Sequence, residues 1–212
     1  MSTYAGQKIT VIWHAERCIH SRNCVLGRPD VFLANAPGDW IHPDSAPPEA
    51  LAALIEACPS GALAYECPDG GRREAPPLVN VLRVRENGPL EVKAELVVGN
   101  DASSYRATLC RCGQSKNKPY CDGTHIAAGF VASGEPPGQE SAPLGTRNGQ
   151  LKVAAAPNGP LLLTGPLEIC SGTGRTLTRV TQAALCRCGQ SGSKPYCDGS
   201  HARVGFAAEP LP

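Results

Sequence analysis

Cys110-Arg-Cys112-Gly-Gln-Ser-Lys-Asn-Lys-Pro-Tyr-Cys121-Asp-Gly-Thr-His125 returns 76 residues later as Cys186-Arg-Cys188-Gly-Gln-Ser-Gly-Ser-Lys-Pro-Tyr-Cys197-Asp-Gly-Ser-His201. Thirteen of the sixteen positions are identical, which marks an internal duplication and makes each copy one structural unit. Three thiols and one imidazole at fixed spacing are what a metal requires, whereas a packed core places no such demand on spacing. The pair of cassettes therefore decides both the architecture and the chemistry.

Working outward, the units are small. The chain has 212 residues with 23 Gly and 20 Pro against three Phe, two Trp and one Met, so turns are plentiful and aromatic packing is scarce. Thin cores of this kind draw part of their folding free energy from bound metal. Lys and Arg total 20 against 19 Asp and Glu, a formal net charge of +1, with no basic stripe interleaved with aromatics, which argues against nucleic acid as a partner. Neither a basic leader followed by an apolar run nor a stretch of about 18 apolar residues occurs, so no membrane association is expected and a cytoplasmic location is. Eleven cysteines, an odd number falling largely into ligand-like groups, read as reduced thiols holding metal and not as disulfides.

Two Pro/Gly-rich joints, Pro68 to Pro77 and Ser133 to Gly138, divide the chain into residues 1–75, 76–138 and 139–212. In the first unit after the linker, Val79 to Val84 and Leu90 to Val98 flank the turn Asn87-Gly88-Pro89; Leu151 to Val153 and Leu161 to Leu163 flank Asn158-Gly159-Pro160 in the second. A hairpin is thus duplicated with the ligands. A strand-rich unit this small leaves an apolar face uncovered, so the two units are expected to pack on each other about a pseudo-twofold axis within one monomer. In the N-terminal segment, Lys8 to His14 alternates as a strand. Asp44-Ser45-Ala-Pro-Pro-Glu49 offers a cap for a helix carrying Leu51, Leu54 and Ile55, which Cys58-Pro59 stops.

Within a cassette, Cys110 and Cys112 reach one centre from one loop. Asp122 is placed to accept the amide hydrogens of Thr124 or His125, Gly123 allows the close turn, and His125 then lies in the first turn of a short helix facing the cysteines. The same reasoning places Cys186, Cys188, Cys197 and His201. Such a donor set suits tetrahedral zinc or an iron–sulfur cluster; the C-x-C pair followed by C-x3-H, in place of the C-x2-C usual for zinc, suits a centre of two irons.

The string C-x-C-x2-S-x3-P-x-C-D-G-S/T-H resembles the CDGSH iron–sulfur domain of the mitoNEET family, in both copies with no ligand missing. The resemblance implies a 2Fe-2S cluster in each unit, Cys110 and Cys112 on one iron with Cys121 and His125 on the other, and Cys186 and Cys188 with Cys197 and His201 likewise. It also implies that a tandem chain builds within itself the intertwined dimer of the single-domain members. Cys18-Ile-His-Ser-Arg-Asn-Cys24 with Cys58-Pro59-Ser-Gly-Ala62 resembles the divergent single-cluster ferredoxin domain over residues 7 to 68. With Ser21 where a middle cysteine would stand, Cys18, Cys24 and Cys58 imply a 3Fe-4S centre, or a 4Fe-4S centre completed by His20 or Ser21.

The expected whole is an α+β protein, a small ferredoxin-like domain followed by two strand-rich CDGSH domains packed as an intramolecular pseudo-dimer. Its expected work is electron transfer or redox sensing with a redox partner protein, with cluster storage and donation to an apo-protein acceptor as the second reading and a structural zinc module as the third. No phosphate-cradling glycines, no Ser/His/Asp order and no paired carboxylates appear, so it is read as no enzyme. Cys67 and Cys170 are expected to be small buried hydrophobes, Trp13 and Trp40 packing residues, and Tyr120 and Tyr196 shields over the centres.

Overall fold

The computed structural model describes residues 1–101 and 103–211, and the chain divides after Ala75 into two units.

The first unit carries β1 (Ser2–Ala5), β2 (Thr10–Trp13), α1 (Asn23–Gly27), α2 (Pro48–Glu56) and β3 (Leu63–Glu66). The strands form an antiparallel sheet with β2 in the centre. The alternation read from the sequence holds: Ile9 and Val11 are buried and pack with Val31, Phe32, Leu51 and Ile55 in one core. Helix α2 starts at Pro48, where a missing N–H costs nothing. Its cap differs from expectation. Pro43–Ser45 forms a separate single 3-10 turn, Asp44 spends its Oδ1 on the amide of Gln7 at 2.8 Å, and Pro47 occupies the cap position with no side-chain bond. Trp13 and Trp40 meet edge to face at 5.0 Å, as packing residues do.

The second unit holds β4 (Val81–Val84), β5 (Leu90–Val98), β6 (Ser104–Leu109), α3 (Thr124–Ala127), β7 (Gln150–Ala155), β8 (Leu161–Cys170), β9 (Thr176–Leu185) and α4 (Ser200–Arg203). Each repeat contributes three strands and a one-turn helix. Asn87 and Asn158 both take left-handed φ at the hairpin turns, which asparagine tolerates.

Strand pairing is exchanged between the repeats. The first half of β5 pairs antiparallel with β4, Val84↔Leu90 to Val81↔Lys93; past an irregularity between Lys93 and Leu96 its second half pairs parallel with β7, Glu95↔Gln150 to Val98↔Val153. The mirror arrangement holds for β8, whose first half pairs with β7 and whose second half pairs parallel with β4, Val81↔Glu168 to Arg83↔Cys170. A β-bulge between Thr164 and Leu167 separates the halves. Gly165 sits in that bulge with φ +133, where a Cβ would overlap the carbonyl oxygen of Gln150, so only glycine lets β7 lie this close.

The consequence is one shared core. Leu82, Leu90, Leu96, Leu109, Leu151 and Leu161 have no exposed surface and belong to a single cluster drawn from both repeats. Each such side chain contributes about 1.5–3 kcal/mol when taken from water. The core ends at the cassettes, where the bridges Leu109↔Tyr120 and Leu185↔Tyr196 lead from β6 and β9 into the ligand loops.

Candidate metal centres

In each cassette the backbone fixes the donors before any metal does. Cys110 N–H donates to Pro119 O and Cys121 N–H to Thr108 O, both at 2.8 Å; Cys186 and Cys197 repeat this with Pro195 O and Ala184 O. Ser115 Oγ donates to Tyr120 O at 2.6 Å and accepts from Asn117 N–H at 3.0 Å, so the intervening loop is laced by one buried hydroxyl. Ser191 does the same in the second copy. Asp122 bridges the loop and the helix, its Oδ1 accepting from Thr124 N–H at 3.0 Å and its Oδ2 from Lys116 N–H at 2.8 Å. Asp198 accepts from Ser200 and Gly192 N–H likewise. The expected cap therefore forms on Thr124 and Ser200, and it places His125 and His201 in the single turns α3 and α4.

The donors come in two close pairs per cassette. Cys110 Sγ and Cys112 Sγ are 3.7 Å apart, and Cys121 Sγ and His125 Nδ1 are 3.3 Å apart. The second copy repeats both distances for Cys186 with Cys188 and Cys197 with His201. A tetrahedral metal with metal–sulfur bonds of about 2.3 Å subtends a sulfur–sulfur edge of about 3.8 Å, so each pair spans two positions on one ion. Among the described residues, no three His, Cys, Asp or Glu side chains gather as a group that could hold a single ion. Cys110, Cys112, Cys121, Cys186 and Cys188 are buried, while His125 and His201 are half-exposed. In the first cassette the imidazole is thus the solvent-facing donor; in the second, Cys197 is half-exposed as well.

Burial resists charge on these thiols. It lifts Cys121 to about 11 and raises Cys188. Cys112 is raised because its proton is held against Cys110 and then because it is buried; Cys110, accepting that bond, is lowered to about 6. A cation between the two sulfurs would favour ionisation of both. Backbone amides already point there, Gln114 N–H at Cys112 Sγ and Gly123 N–H at Cys121 Sγ, both 3.4 Å.

Two residues that sequence reasoning passed over complete the cassettes. Arg111 and Arg187, the middle residues of the C-x-C pairs, are the largest fully buried side chains in the chain, 1% and 2% exposed. Neither hydrogen bonds a carboxylate; Arg111 donates to the carbonyls of Gly88 (3.0 Å), Arg85 (2.6 Å), Ser133 and Ala132 (3.1 Å each) and lies over the Phe130 ring. Arg187 makes the matching bonds to Gly159, Ala156, Glu209 and Ala208 and lies over Phe206. Each guanidinium binds the hairpin turn to the tail of its repeat and sits between two ligands. Burial lowers Arg111 to about 10, which leaves it cationic at neutral pH. The signal was available, since the same long cation fills the tightest gap of both copies.

The cassettes also touch each other. Gly113 and Gly189 follow Cys112 and Cys188 with φ of +80 and +81, and a Cβ on either would overlap the carbonyl oxygen of the other copy's cysteine, Cys188 or Cys112. Only glycine permits this reciprocal backbone contact.

In the first unit, Cys18, Cys24 and Cys58 line one cavity of about 550 Å³ together with His20 and Ser21. Cys67 packs against the core of this unit and is not in the cavity wall. His20 and Arg22, on either side of Ser21, both take left-handed φ, +53 and +65. Asn23 Nδ2 ties this loop to Ala57 O beside Cys58 at 3.2 Å. Burial raises the Cys24 thiol. Cys170 is buried in the other unit, as its reading as a small hydrophobe required.

The comparisons agree with this division. Residues 4–68 match the family model of the divergent 4Fe-4S mono-cluster domain. Residues 87–126 and 158–202 each match that of the iron-binding zinc finger of CDGSH type. A 63-residue stretch, 29% of this chain, is 43% identical to 80% of Uncharacterized protein YjdI of Escherichia coli (strain K12), and the protein of that name from Escherichia coli O157:H7 gives the same figures. The soft, paired donors fit iron–sulfur ligation. The chain carries a divergent 4Fe-4S mono-cluster domain, followed in sequence by two domains of the iron-binding CDGSH zinc-finger type.

Proposed function

We propose that each cassette holds one 2Fe-2S cluster and that the chain carries electrons through them, in electron transfer or redox sensing. The observation that carries this is the two-by-two grouping of donors. Cys110 with Cys112, and Cys121 with His125, are each spaced to span one metal, while among the described residues no third donor joins either pair to close a four-coordinate site. That grouping suits two irons bridged by sulfides better than one zinc ion. Cys186, Cys188, Cys197 and His201 form the second centre, and Cys18, Cys24 and Cys58 hold a cuboidal cluster, 3Fe-4S or 4Fe-4S.

When bound, such clusters supply one-electron chemistry. The chain's own residues set its terms. One neutral imidazole in place of a thiolate removes a negative charge from each centre, and Arg111 and Arg187 add a buried cation beside it, so both raise the reduction potential relative to an all-cysteine site. Gly113 and Gly189 bring the ligand loops into backbone contact, which keeps the two centres within reach of each other for an electron. The exchanged pairing of β4 with β8 and β5 with β7 supports an internal pseudo-twofold, with domains 76–138 and 139–212 as its halves in a monomer. We place the protein in the cytoplasm, as a non-enzymatic carrier with a redox partner protein.

A second reading, cluster storage and transfer to an apo-protein, is favoured by the half-exposed His125 and His201, which give each centre a neutral, replaceable ligand open to solvent. Anaerobic reduction and reoxidation of the full chain, followed by EPR, separates the two. The carrier reading expects repeated cycles without loss of iron. Stoichiometric delivery of iron and sulfide to an apo-ferredoxin, faster than for His125→Cys with His201→Cys, would instead support the transfer reading.

A further inference from the structure

A cuboidal cluster presents four corners, and the cavity of the first unit is lined by three thiols. Cys18, Cys24 and Cys58 face it, Cys67 does not, and no other cysteine lies in this unit. His20 and Ser21, both exposed, line the same cavity on a loop in which the two residues flanking Ser21, His20 and Arg22, are non-glycine and left-handed. Left-handed φ at such residues persists where the surroundings enforce it. The donors offered at that corner are thus a hydroxyl and an imidazole open to solvent, in place of the thiolate that iron–sulfur centres normally require. The four-thiolate set of a permanent 4Fe-4S cluster is absent from this cavity.

We propose that the corner at His20–Ser21 is an exchangeable ferrous-iron site, so that the N-terminal domain interconverts between a 3Fe-4S and a 4Fe-4S centre according to iron supply. This rests on the reading that the cavity holds a cuboidal cluster. The reaction balances without an electron from the reduced state: [3Fe-4S]⁰ plus Fe²⁺ gives [4Fe-4S]²⁺. Three iron–sulfur bonds form to the bridging sulfides of the open face, and water leaves the incoming ion. Its outward position is taken by His20, Ser21 or solvent. None of these holds iron as a thiolate does, so the ion leaves again when the cluster is oxidised, [4Fe-4S]²⁺ giving [3Fe-4S]⁺, Fe²⁺ and one electron to the added oxidant. The two CDGSH centres, each with a full set of four protein donors, are not part of this exchange.

The test uses the full chain, anaerobically, with ⁵⁷Fe²⁺ as probe. After oxidation by ferricyanide and desalting, wild type is expected to give the EPR signal of an oxidised 3Fe-4S centre. Dithionite with one equivalent of ⁵⁷Fe²⁺ should abolish the signal and place the label in a single cuboidal iron site by Mössbauer spectroscopy. Ser21→Cys should show at least tenfold less of the signal and of label uptake. Retention of all four irons by wild type through oxidation, or uptake by Ser21→Cys equal to wild type, would overturn the proposal while leaving the cluster in place. If instead Cys18→Ala changes neither iron content nor spectra, the cavity holds no cluster and the underlying reading fails with it.

Discussion

Arg111 and Arg187 show how much a single side chain does in these cassettes. A guanidinium donates in several directions from a plane, and each here reaches carbonyls of a turn and a tail, among them Gly88 and Ser133 for Arg111 and Gly159 and Glu209 for Arg187. Truncating Arg111 to Ala removes the side-chain donor of Gly88 and Ser133 and opens a cavity, so thermal unfolding of the apo chain should show a loss of about 3–5 kcal/mol, with Arg187→Ala similar. His125 carries the second residue-scale expectation. Burial lowers its pKa below the usual 6.5, aided by Arg111 and opposed by Asp122. The neutral, ligating form is therefore favoured at neutral pH, and that contribution is present above 6.5 and lost as pH falls through the lowered value. Visible absorbance should bleach in acid, at a pH that shifts when His125→Cys and His201→Cys are combined; an unchanged bleaching curve would remove the histidines from the account.

At the scale of elements, the exchanged pairing depends on a few polar anchors. Asn80, fully buried just before β4, donates Nδ2 to Gly149 O at 2.8 Å and Pro166 O at 2.9 Å, so one residue of the first repeat fastens two points of the second. Asn80→Ala should destabilise the chain by about 2–4 kcal/mol in denaturant unfolding, because the fully buried Asn80 side chain and its two donated bonds are lost. A change under about 0.5 kcal/mol would show that water replaces the amide. Much of this layer was legible in the sequence. The turns at Asn87 and Asn158, strand β5 with its strict alternation, and the Asp122 and Asp198 caps all follow from local rules. What was not legible is non-local: β1, β6 and β9 carry mixed polar and apolar residues, and their pairing depends on partners elsewhere in the fold. The Asp44 cap failed for a similar reason, since a distant amide, that of Gln7, competed for its carboxylate and won.

For the whole molecule, duplication is the organising fact. Two copies of one unit share a core, exchange strand partners, and meet at glycines that follow a ligand cysteine in each copy. That Cys110 meets Cys112 and Cys121 meets His125 was legible in the spacing, and the arginine between each cysteine pair was signalled by its recurrence; its carbonyl partners and the glycine contact were not, because they answer to the assembled fold. All of this serves the claim that each cassette grips two irons as a Cys–Cys pair and a Cys–His pair. Quantifying iron, zinc and acid-labile sulfide in anaerobically purified full chain carrying Cys18→Ala isolates the two cassettes. The account predicts about four irons and about four sulfides per chain, with zinc near zero. About two zinc ions per chain without labile sulfide would contradict it.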